Sequence, residues 1–516
     1  MEKRDVVVYS EDYKKLVDAT ALKDKYYEID ERVEEICKEA FKGCDKLEEI
    51  VMPKKLKKID SEAFQGCSSL TKLTLPDSVM SIGKGAFCGC SGLTELTLPN
   101  SVKSIGDGAF ADCSGLTELT LSNSLVSIGG NAFRWCSELT ELTLPNSVTS
   151  IGYAAFGGCS GLEKITVDGG NKRYDSRDNC NSIIDTETNT LIVGCKNSVI
   201  PNGVTSIGDS AFGWCSELTE LVLPNSVTRI GDSAFEYCSG LTELTLPNSV
   251  ASIGDSAFEY CSGLTKLTLP NSITSIGYSA FYGCSGLTEL TLPNSVTSIG
   301  DSAFYVCRGL EKITVESGNS CYDSRDNCNS IIDKKTNTLI VGCKNSIIPN
   351  SVTSIGSGAF AYCSGLTELT LPNSVTSIGY AAFRGCSGLT ELTLPNSVTS
   401  IGERAFEGCT GLTELTLPNS VKSIGDGAFA YCSGMTELTL PNSVTSIGDG
   451  AFGDCSGLSK ITSLAEIPPV CGSGVFDRVN KTNCELIVPV ISVIAYKQAE
   501  VWNEFSNIRG FVGEKK

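Results

Sequence analysis

Apolar residues return at fixed places in a unit of 23 residues that is repeated from Leu47 to Gly457. When the unit is numbered from its first leucine, apolar side chains stand at positions 1, 4, 6, 10, 13, 17, 18 and 21. In residues 241–263 they are Leu241, Leu244, Leu246, Val250, Ile253, Ala257, Phe258 and Cys261. A unit this short cannot bury its apolar face alone, and stacked copies build a solenoid. The pattern therefore predicts one elongated repeat domain.

Each unit contains two kinds of local periodicity. Residues 244–246 alternate between apolar and polar, as a half-buried strand does, and residues 250–253 are short enough for a second extended piece. Residues 255–261 place apolar side chains three apart, which predicts a single helical or 3-10 turn. Pro247 ends the strand, and Gly254 permits a tight corner. We therefore predict an α/β repeat solenoid with a parallel β-sheet and one coil per unit.

Two residue types form long columns in this pattern. Sixteen of the nineteen phenylalanines stand at position 18, from Phe41 to Phe452, and we expect their rings to stack in a continuous spine. Burial of each ring stabilises the fold by about 1.5 to 3 kcal/mol. Sixteen of the 25 cysteines stand at position 21, from Cys44 to Cys455. A cysteine at a repeated buried position packs as a small hydrophobe, so we predict a reduced ladder, with inter-repeat disulfides or metal binding as alternatives.

The array has two longer units and two atypical ends. We predict an N-terminal cap with a first partial repeat (1–46), a solenoid (47–457) of thirteen 23-residue and two 56-residue units (162–217 and 310–365), and a C-terminal cap (458–516). In the long units, apolar stretches flank the polar turns DTETN and DKKTN, which predicts a protruding β-hairpin. The hairpin is either an extra structural coil or a grip for a partner.

The caps should seal the ends of the core. Residues 1–28 look helical and charged, with Leu16, Val17 and Leu22 available to cover the first coil. At the other end, a capping helix is expected to present Tyr496, Trp502, Phe505 and Ile508.

Charge and composition exclude several classes of function. The chain has 41 basic and 60 acidic residues, a net charge of -19, which opposes binding to nucleic acid or anionic lipid. It has no apolar run long enough to span a membrane, so no membrane insertion is expected. It also contains no histidine, the commonest general base and metal ligand, and no phosphate-binding loop. We therefore predict no enzymatic activity, no cofactor and no metal site.

The pattern LxxLxLP-NSVTSIG-xxAF-xxC, with long units of the form NxxYDSRDNCNSIIDTxTNTLIVGCKNSxIPN, resembles the BspA-like leucine-rich repeat family. The resemblance implies a curved, right-handed solenoid, often on bacterial or protist surfaces, that binds host proteins or other cells and has no catalytic activity. No export signal or surface anchor is recognisable in the sequence. We therefore expect a cell-surface or secreted protein by resemblance, and a cytoplasmic one if Met1 is the natural start.

One candidate binding surface is the column at position 3, beside the inward-facing leucines. It is mostly glutamate and includes four in succession, Glu368, Glu391, Glu414 and Glu437. Like charges on neighbouring strands are destabilising, so this column is a candidate for binding a basic or repetitive protein. The alternative is an ordinary solvated face.

A second candidate is an aromatic stripe at position 20, on the side of the coils. It contains Trp135, Trp214, Tyr237 and Tyr260, with Tyr282 one position away in the next coil. Clustered aromatic residues are common anchors of protein interfaces, whereas rings lying flat over the Phe spine would be structural. We expect a monomeric, non-catalytic solenoid that mediates adhesion or recognition of another protein. The alternative is an intracellular scaffold or structural repeat protein.

Overall fold

The computed structural model describes residues 7–512, and the chain divides into two compact units, residues 1–264 and 265–516. Each unit is a parallel-strand solenoid of stacked coils with few helices. An ordinary coil has a first strand that begins at position 3 and a second strand at positions 12 and 13. Equivalent residues of adjacent coils pair in register, as Ser104 does with Ser127. The repeat therefore sets both the coil and its register.

The second strands form the longer sheets. In the first unit they are Glu35–Ile36, Lys58–Ile59, Ser81–Ile82, Ser104–Ile105, Ser127–Ile128, Ser150–Ile151, Ser206–Ile207, Arg229–Ile230 and Ser252–Ile253. In the second unit they are Ser275–Ile276, Ser298–Ile299, Ser354–Ile355, Ser377–Ile378, Ser400–Ile401, Ser423–Ile424, Ser446–Ile447 and Val470–Cys471. The isoleucines point into the core, while the serines lie at the surface.

The first strands pair in shorter groups. Three of the pairs join strands of four residues, and in each a glutamate lies opposite a lysine: Glu141 with Lys164, Glu289 with Lys312, and Glu437 with Lys460. Opposite charges across a ladder favour pairing, which fits these longer strands. The first strands are Glu49–Val51, Lys72–Leu73, Glu95–Thr97, Glu118–Thr120, Glu141–Leu144, Lys164–Val167, Glu243–Thr245, Lys266–Thr268, Glu289–Leu292, Lys312–Val315, Glu368–Thr370, Glu391–Thr393, Glu414–Thr416, Glu437–Leu440 and Lys460–Ser463.

Positions 14 to 21 form hydrogen-bonded turns instead of the predicted helical or 3-10 turn. Ser256 and Tyr260, with φ of 52° and 56°, have left-handed backbone, which interrupts any helix. The N–H groups at positions 16, 18 and 20 donate to the carbonyl oxygens at positions 15, 17 and 19 of the following coil. We call these bonds the turn ladder. Examples are Ser233 to Asp255 (2.8 Å), Phe235 to Ala257 (2.7 Å) and Tyr237 to Glu259 (2.7 Å).

The phenylalanines stack as predicted within runs of ordinary coils, but the spine is not continuous. Ring centroids are 4.8 to 5.4 Å apart from Phe41 to Phe156. The run stops at the first long unit, where Gly194 lies against the ring of Phe212. Gly342 lies against Phe360 in the same way at the second long unit. The inserted coils interrupt the spine because they have no Ala-Phe turn.

All 25 cysteines are free in the structure, and those at position 21 are buried. The Cys409 thiol donates to the carbonyl oxygen of Phe383 in the preceding coil at 3.2 Å, and the same bond recurs along the ladder. Burial raises the pKa of the Cys67 and Cys409 thiols to about 12. Position 21 thus holds a small side chain that both fills the core and satisfies a carbonyl group.

The long units contain the predicted hairpins, although their apolar residues are buried within the stack. In the first copy, Ile183–Asp185 pairs antiparallel with Thr190–Val193, which pairs parallel with Ser206–Ile207. Both Ile184 and Leu191 are fully buried. The hairpin therefore supplies an extra coil. The other elements of the two copies are Tyr174–Asp175, the 3-10 turn Arg177–Asn179, Tyr322–Asp323, the 3-10 turn Arg325–Asn327, Ile331–Asp333 and Thr338–Val341.

The N-terminal end is formed by strands, so the helix predicted over residues 1–28 is wrong for its described part; residues 1–6 lie outside the described residues. The strands are Val8–Tyr9, Lys15–Asp18 and Tyr26–Glu28. Lys15–Asp18 pairs with the second strand of the following coil, whose open edge offers backbone partners. Leu16 and Leu22 are buried as predicted, whereas Val17 is exposed.

The C-terminal end combines strands with a short helix. Its elements are Glu485–Pro489, the 3-10 turn Val490–Ser492, the helix Val493–Gln498, the 3-10 turn Trp502–Glu504 and the strand Asn507–Phe511. Of the four residues expected on one capping helix, only Tyr496 lies on it. Trp502 and Phe505 are nevertheless buried against the end of the core, and Ile508 is on the last strand. None of the helices in residues 7–512 has the length and apolar character needed to cross a membrane.

Candidate functional site

The glutamate column lies at the surface of the second unit. Glu368 is in register with Glu391, and Glu414 with Glu437. All four side chains are exposed. In the part of the chain that the structure describes, only Glu437 forms an ion pair, with Lys460 at 2.9 Å. Glu368, Glu391 and Glu414 therefore present unneutralised carboxylates to solvent.

The other polar columns are occupied by hydrogen bonds between coils, a role that sequence reasoning missed. At position 9, the Ser397 hydroxyl donates to the carbonyl oxygen of Val375 at 2.7 Å. At position 11, Thr399 donates to Thr376 in the same way. At position 15, Asp426 accepts the backbone N–H of the next coil's aspartate at 2.9 Å. The signal was the 23-residue spacing, which brings each polar side chain next to the equivalent backbone group of the neighbouring coil.

The structure brings together the predicted aromatic residues of the first unit, Trp135, Trp214, Tyr237 and Tyr260, which we call the lateral stripe. Ring centroids are 5.0 Å apart for Trp135 and Trp214, 5.9 Å for Trp214 and Tyr237, and 4.6 Å for Tyr237 and Tyr260. Tyr237 is 40% exposed, and the other three are half-buried. The stripe is thus a continuous run of ring contacts, tilted by 59° between Trp135 and Trp214 and stacked from Trp214 to Tyr260, and it is partly exposed to solvent.

The backbone of the lateral stripe is in an unfavourable conformation for aromatic residues. All four have positive φ, between 56° and 63°. Other coils place glycine here, such as Gly66 and Gly89, which adopt this conformation at little cost. A bulky residue in the left-handed region costs about 1 to 2 kcal/mol. Ring stacking returns about 0.5 to 1.5 kcal/mol per pair, so stability alone gives little reason for these aromatic residues.

A cation and a carboxyl group lie beside the lateral stripe. The guanidinium group of Arg134 is 4.5 Å from the ring centroid of Trp214 and 5.6 Å from that of Trp135, which allows cation–π attraction. Burial raises the pKa of the Glu236 carboxyl above its ordinary value. The pKa of Tyr237 is also raised, mainly by desolvation. The stripe therefore has a partly desolvated polar margin.

Tyr282, the fifth predicted aromatic residue, belongs to a similar cluster in the second unit. It stacks on Tyr305 at 5.4 Å, and Tyr305 meets Tyr362 edge-on at 6.1 Å. The guanidinium group of Arg308 is 4.8 Å from the Tyr362 ring centroid, and that of Arg384 is 5.7 Å away. Tyr305 stands at position 19 like Tyr282, and sequence reasoning missed it and the arginines because it followed the aromatic column at position 20.

Metal binding is not suggested by the arrangement of side chains. Among residues 7–512, no group of three or more cysteine or acidic side chains is placed to hold a metal ion.

Comparisons with known proteins agree on the repeat. The family model described as BspA type leucine rich repeat region matches residues 21–114, 57–184, 205–331 and 330–459. A leucine rich cell surface protein from Faecalibacterium prausnitzii is similar at 30% sequence identity, over 72% of this chain and 87% of that chain, with a TM-score of 0.52. A leucine-rich repeat protein from Bacteroides ovatus shares 27% identity over 86% and 92% of the two chains, with a TM-score of 0.36. No curated protein matches the sequence.

Proposed function

Because the chain belongs to the BspA-type leucine-rich repeat family, we propose that it is a monomeric, non-catalytic solenoid that binds another protein in adhesion or recognition. The similar Faecalibacterium prausnitzii protein is described as a cell surface protein, which supports a surface or secreted location. The proposal includes caps at 1–46 and 458–516 and a right-handed, curved winding of the coils from 47 to 457.

The observation that carries the proposal is that the lateral stripe combines left-handed backbone with aromatic rings in contact from coil to coil. Trp214, Tyr237 and Tyr260 occupy consecutive coils at a position where glycine avoids strain. Strained residues that stability does not require are typical of functional sites. Aromatic side chains that are already stacked lose little conformational entropy on binding, which suits them as interface anchors. We therefore assign the lateral stripe as the main contact surface.

The glutamate column is a second part of the proposed surface. Its unneutralised carboxylates favour a partner with basic residues, and charges on the rim of an interface mainly increase the association rate. Uniform side chains at position 3 give the column little power to select one partner. Selectivity in this proposal comes from the lateral stripe.

The proposal is tested by cross-linking followed by a binding measurement. A photoreactive phenylalanine analogue replaces Tyr237, and the matched control places it at Tyr431, which has the same position and backbone conformation in another coil. Cross-linking on native cells identifies the partner, which is then purified. We expect the triple variant Trp214→Ser, Tyr237→Ser and Tyr260→Ser to bind that partner at least about tenfold more weakly, and Tyr431→Ser to bind normally. Retained binding by a triple variant of reduced stability would show that the stripe is only structural.

A second candidate, an intracellular scaffold, is favoured by the cysteine ladder. The position-21 cysteines are buried as thiols that donate to carbonyl groups, an arrangement suited to a reducing compartment. The test is a thiol count, with and without denaturant, on protein purified from its native cells without reductant. Twenty-five thiols in total, with the sixteen at position 21 reacting only after unfolding, would favour the scaffold. A clear shortfall would favour an exported protein.

A further inference from the structure

The turn ladder is interrupted at each long unit, because the inserted coil has no Ala-Phe turn; in the first unit one bond, from the Gly158 N–H to the Gly213 carbonyl oxygen, still crosses the gap (3.1 Å). In the second unit, positions 16, 18 and 20 before the insertion are Ser302, Phe304 and Val306. In ordinary coils the N–H groups at these positions donate to carbonyl oxygens of the following coil. Among residues 7–512, the structure gives these three N–H groups no hydrogen-bond acceptor. Three backbone donors, each two residues from the next, therefore face a gap in the stack.

This gap is an open groove with a volume of about 630 Å³. Ile340 and Val341 of the inserted coil form its floor. Tyr278 and Tyr380 stand at its two rims and are 55% and 43% exposed. The lining also contains Gly358, which lies against the ring of Tyr305. The groove has the size and the mixed lining of a ligand site.

The corresponding gap in the first unit is closed. There the hydroxyl oxygens of Tyr153 and Ser210 are 2.8 Å apart and bridge the two walls. The remaining cavity has a volume of only about 10 Å³. In the second copy the same positions hold Asp301 and Gly358, and a glycine has no side chain with which to form the bridge. The duplicated units thus differ at the residues that decide whether the groove is open.

We propose that the groove in the second unit binds a segment of a partner protein, whose carbonyl oxygens accept hydrogen bonds from Ser302 and Phe304, which line the groove, and from Val306 beside them. The inference rests on the proposed role in protein recognition and adds the kind of segment that is recognised. In the ordinary turn ladder, carbonyl oxygens two residues apart in the following turn accept from these donor positions, so a segment that takes up the conformation of that turn matches the donors. A carbohydrate or a free phosphate has no such row of carbonyl oxygens.

The ordinary turn ladder also indicates which side chains the segment carries. In other coils the acceptor segment has alanine at position 17, as at Ala382, which accepts from Phe360 and is fully buried. We therefore expect the bound segment to have a small residue at its centre, where the ordinary acceptor segment has this alanine. Tyr278 and Tyr380 at the rims offer aromatic faces to the residues on either side.

A variant that closes the groove can be copied from the first unit. The triple variant Asp301→Tyr, Tyr305→Gly and Gly358→Ser reproduces Tyr153, Gly157 and Ser210. Tyr305 must be replaced because a Cβ atom at Gly358 would lie 2.4 Å from its ring. Tyr305→Gly alone is the matched control, since it leaves the groove open. The neighbouring coil has Ser357 at the position that Tyr380 occupies. Tyr380→Ser is therefore a second test, to be used if the triple variant does not fold.

The probe is a phage-displayed library of random twelve-residue peptides, selected on the purified full chain. We expect enriched peptides to bind the triple variant at least about tenfold more weakly than the Tyr305→Gly control, which lacks the same ring but does not form the bridge. Tyr380→Ser is expected to bind them about threefold more weakly. Hydrogen exchange at the amides of Ser302, Phe304 and Val306 should slow when such a peptide is added.

The outcomes separate this groove from the lateral stripe. Failure to enrich any peptide, unchanged binding to the closed variant, or unchanged exchange at the three amides would overturn the inference. The triple serine variant of the lateral stripe should keep its peptide affinity. If peptides depend on the stripe and ignore the closed groove, the proposed function stands and the groove assignment fails.

Discussion

The cysteine ladder makes the fold sensitive to alkaline pH. Burial raises the pKa of five ladder thiols to about 12, against an ordinary value of 9.0: Cys67, Cys215, Cys307, Cys363 and Cys409. Below pH 9 these groups are protonated in both states and do not affect the pH dependence of unfolding. Above pH 9 the unfolded chain loses the protons first, so the free energy of unfolding falls until the pH passes the folded pKa.

The size of the effect follows from the pKa difference. At pH 10 each thiol lowers the free energy of unfolding by about 1 kcal/mol, so the five together lower it by about 5 kcal/mol. This is comparable with the whole stability of many domains, about 5 to 15 kcal/mol. We therefore expect the protein to unfold between pH 9 and 11 at room temperature.

Urea unfolding followed by circular dichroism, from pH 7 to 11 with a phosphine reductant, measures this loss. Cys409→Ala should make the fall in the free energy of unfolding above pH 9.5 less steep by about 1 kcal/mol per pH unit. Ile401→Val removes buried volume from the same coil without removing a thiol and should leave the slope unchanged. A free energy of unfolding that stays constant from pH 8 to pH 10 would refute the reasoning.

Three further predictions concern the coil, the stripe and the column. Gly402→Ala should lower the free energy of unfolding by about 3 kcal/mol or more, because the new Cβ atom would lie 2.7 Å from the backbone of the preceding coil. Gly408→Ala should lower it by only about 1 to 2 kcal/mol, the cost of an alanine in the left-handed region. Chemical denaturation of the two variants measures the difference. Burial raises the pKa of the Glu236 carboxyl, so the unfolded chain loses this proton first as the pH rises through 4.5, and the folded state becomes less stable. Glu236→Gln removes the titrating group and should therefore raise the melting temperature at pH 7 but not at pH 3. Lys460→Glu turns the attraction between residue 460 and Glu437 into a repulsion and should lower the melting temperature. The loss should be smaller in 1 M salt than in low salt, because salt screens the repulsion. An equal loss at both salt concentrations would contradict this prediction.

The regular part of the fold could be predicted from the sequence because one unit fixes it. The alternation in residues 244–246, the isoleucine at Ile253 and the columns at Phe258 and Cys261 each gave a correct local prediction. The helical turn at 255–261 was wrong, since the apolar spacing of three is equally satisfied by turns with left-handed residues. Periodicity alone does not distinguish the two backbones.

The ends and the interruptions could not be predicted in the same way. The N-terminal strand Lys15–Asp18 is set by an open sheet edge in the next coil, which is a tertiary contact. The break in the Phe spine at Gly194 depends on where the inserted coil enters the stack.

For the candidate site, the sequence identified the lateral stripe but not the groove. Position 20 could be read directly because its aromatic residues recur at the repeat spacing. The groove depends on N–H groups such as that of Phe304, whose missing acceptor becomes visible only when the coils are stacked.

The central claim is that the lateral stripe binds another protein, and the most direct test is an affinity measurement. The partner cross-linked at position 237 is titrated against the wild-type chain and against Trp214→Ser, Tyr237→Ser and Tyr260→Ser combined, at a temperature where both are folded. We expect the dissociation constant to rise at least about tenfold in the variant, with Tyr431→Ser unchanged. Equal affinity for the folded wild type and the folded triple variant would contradict the claim.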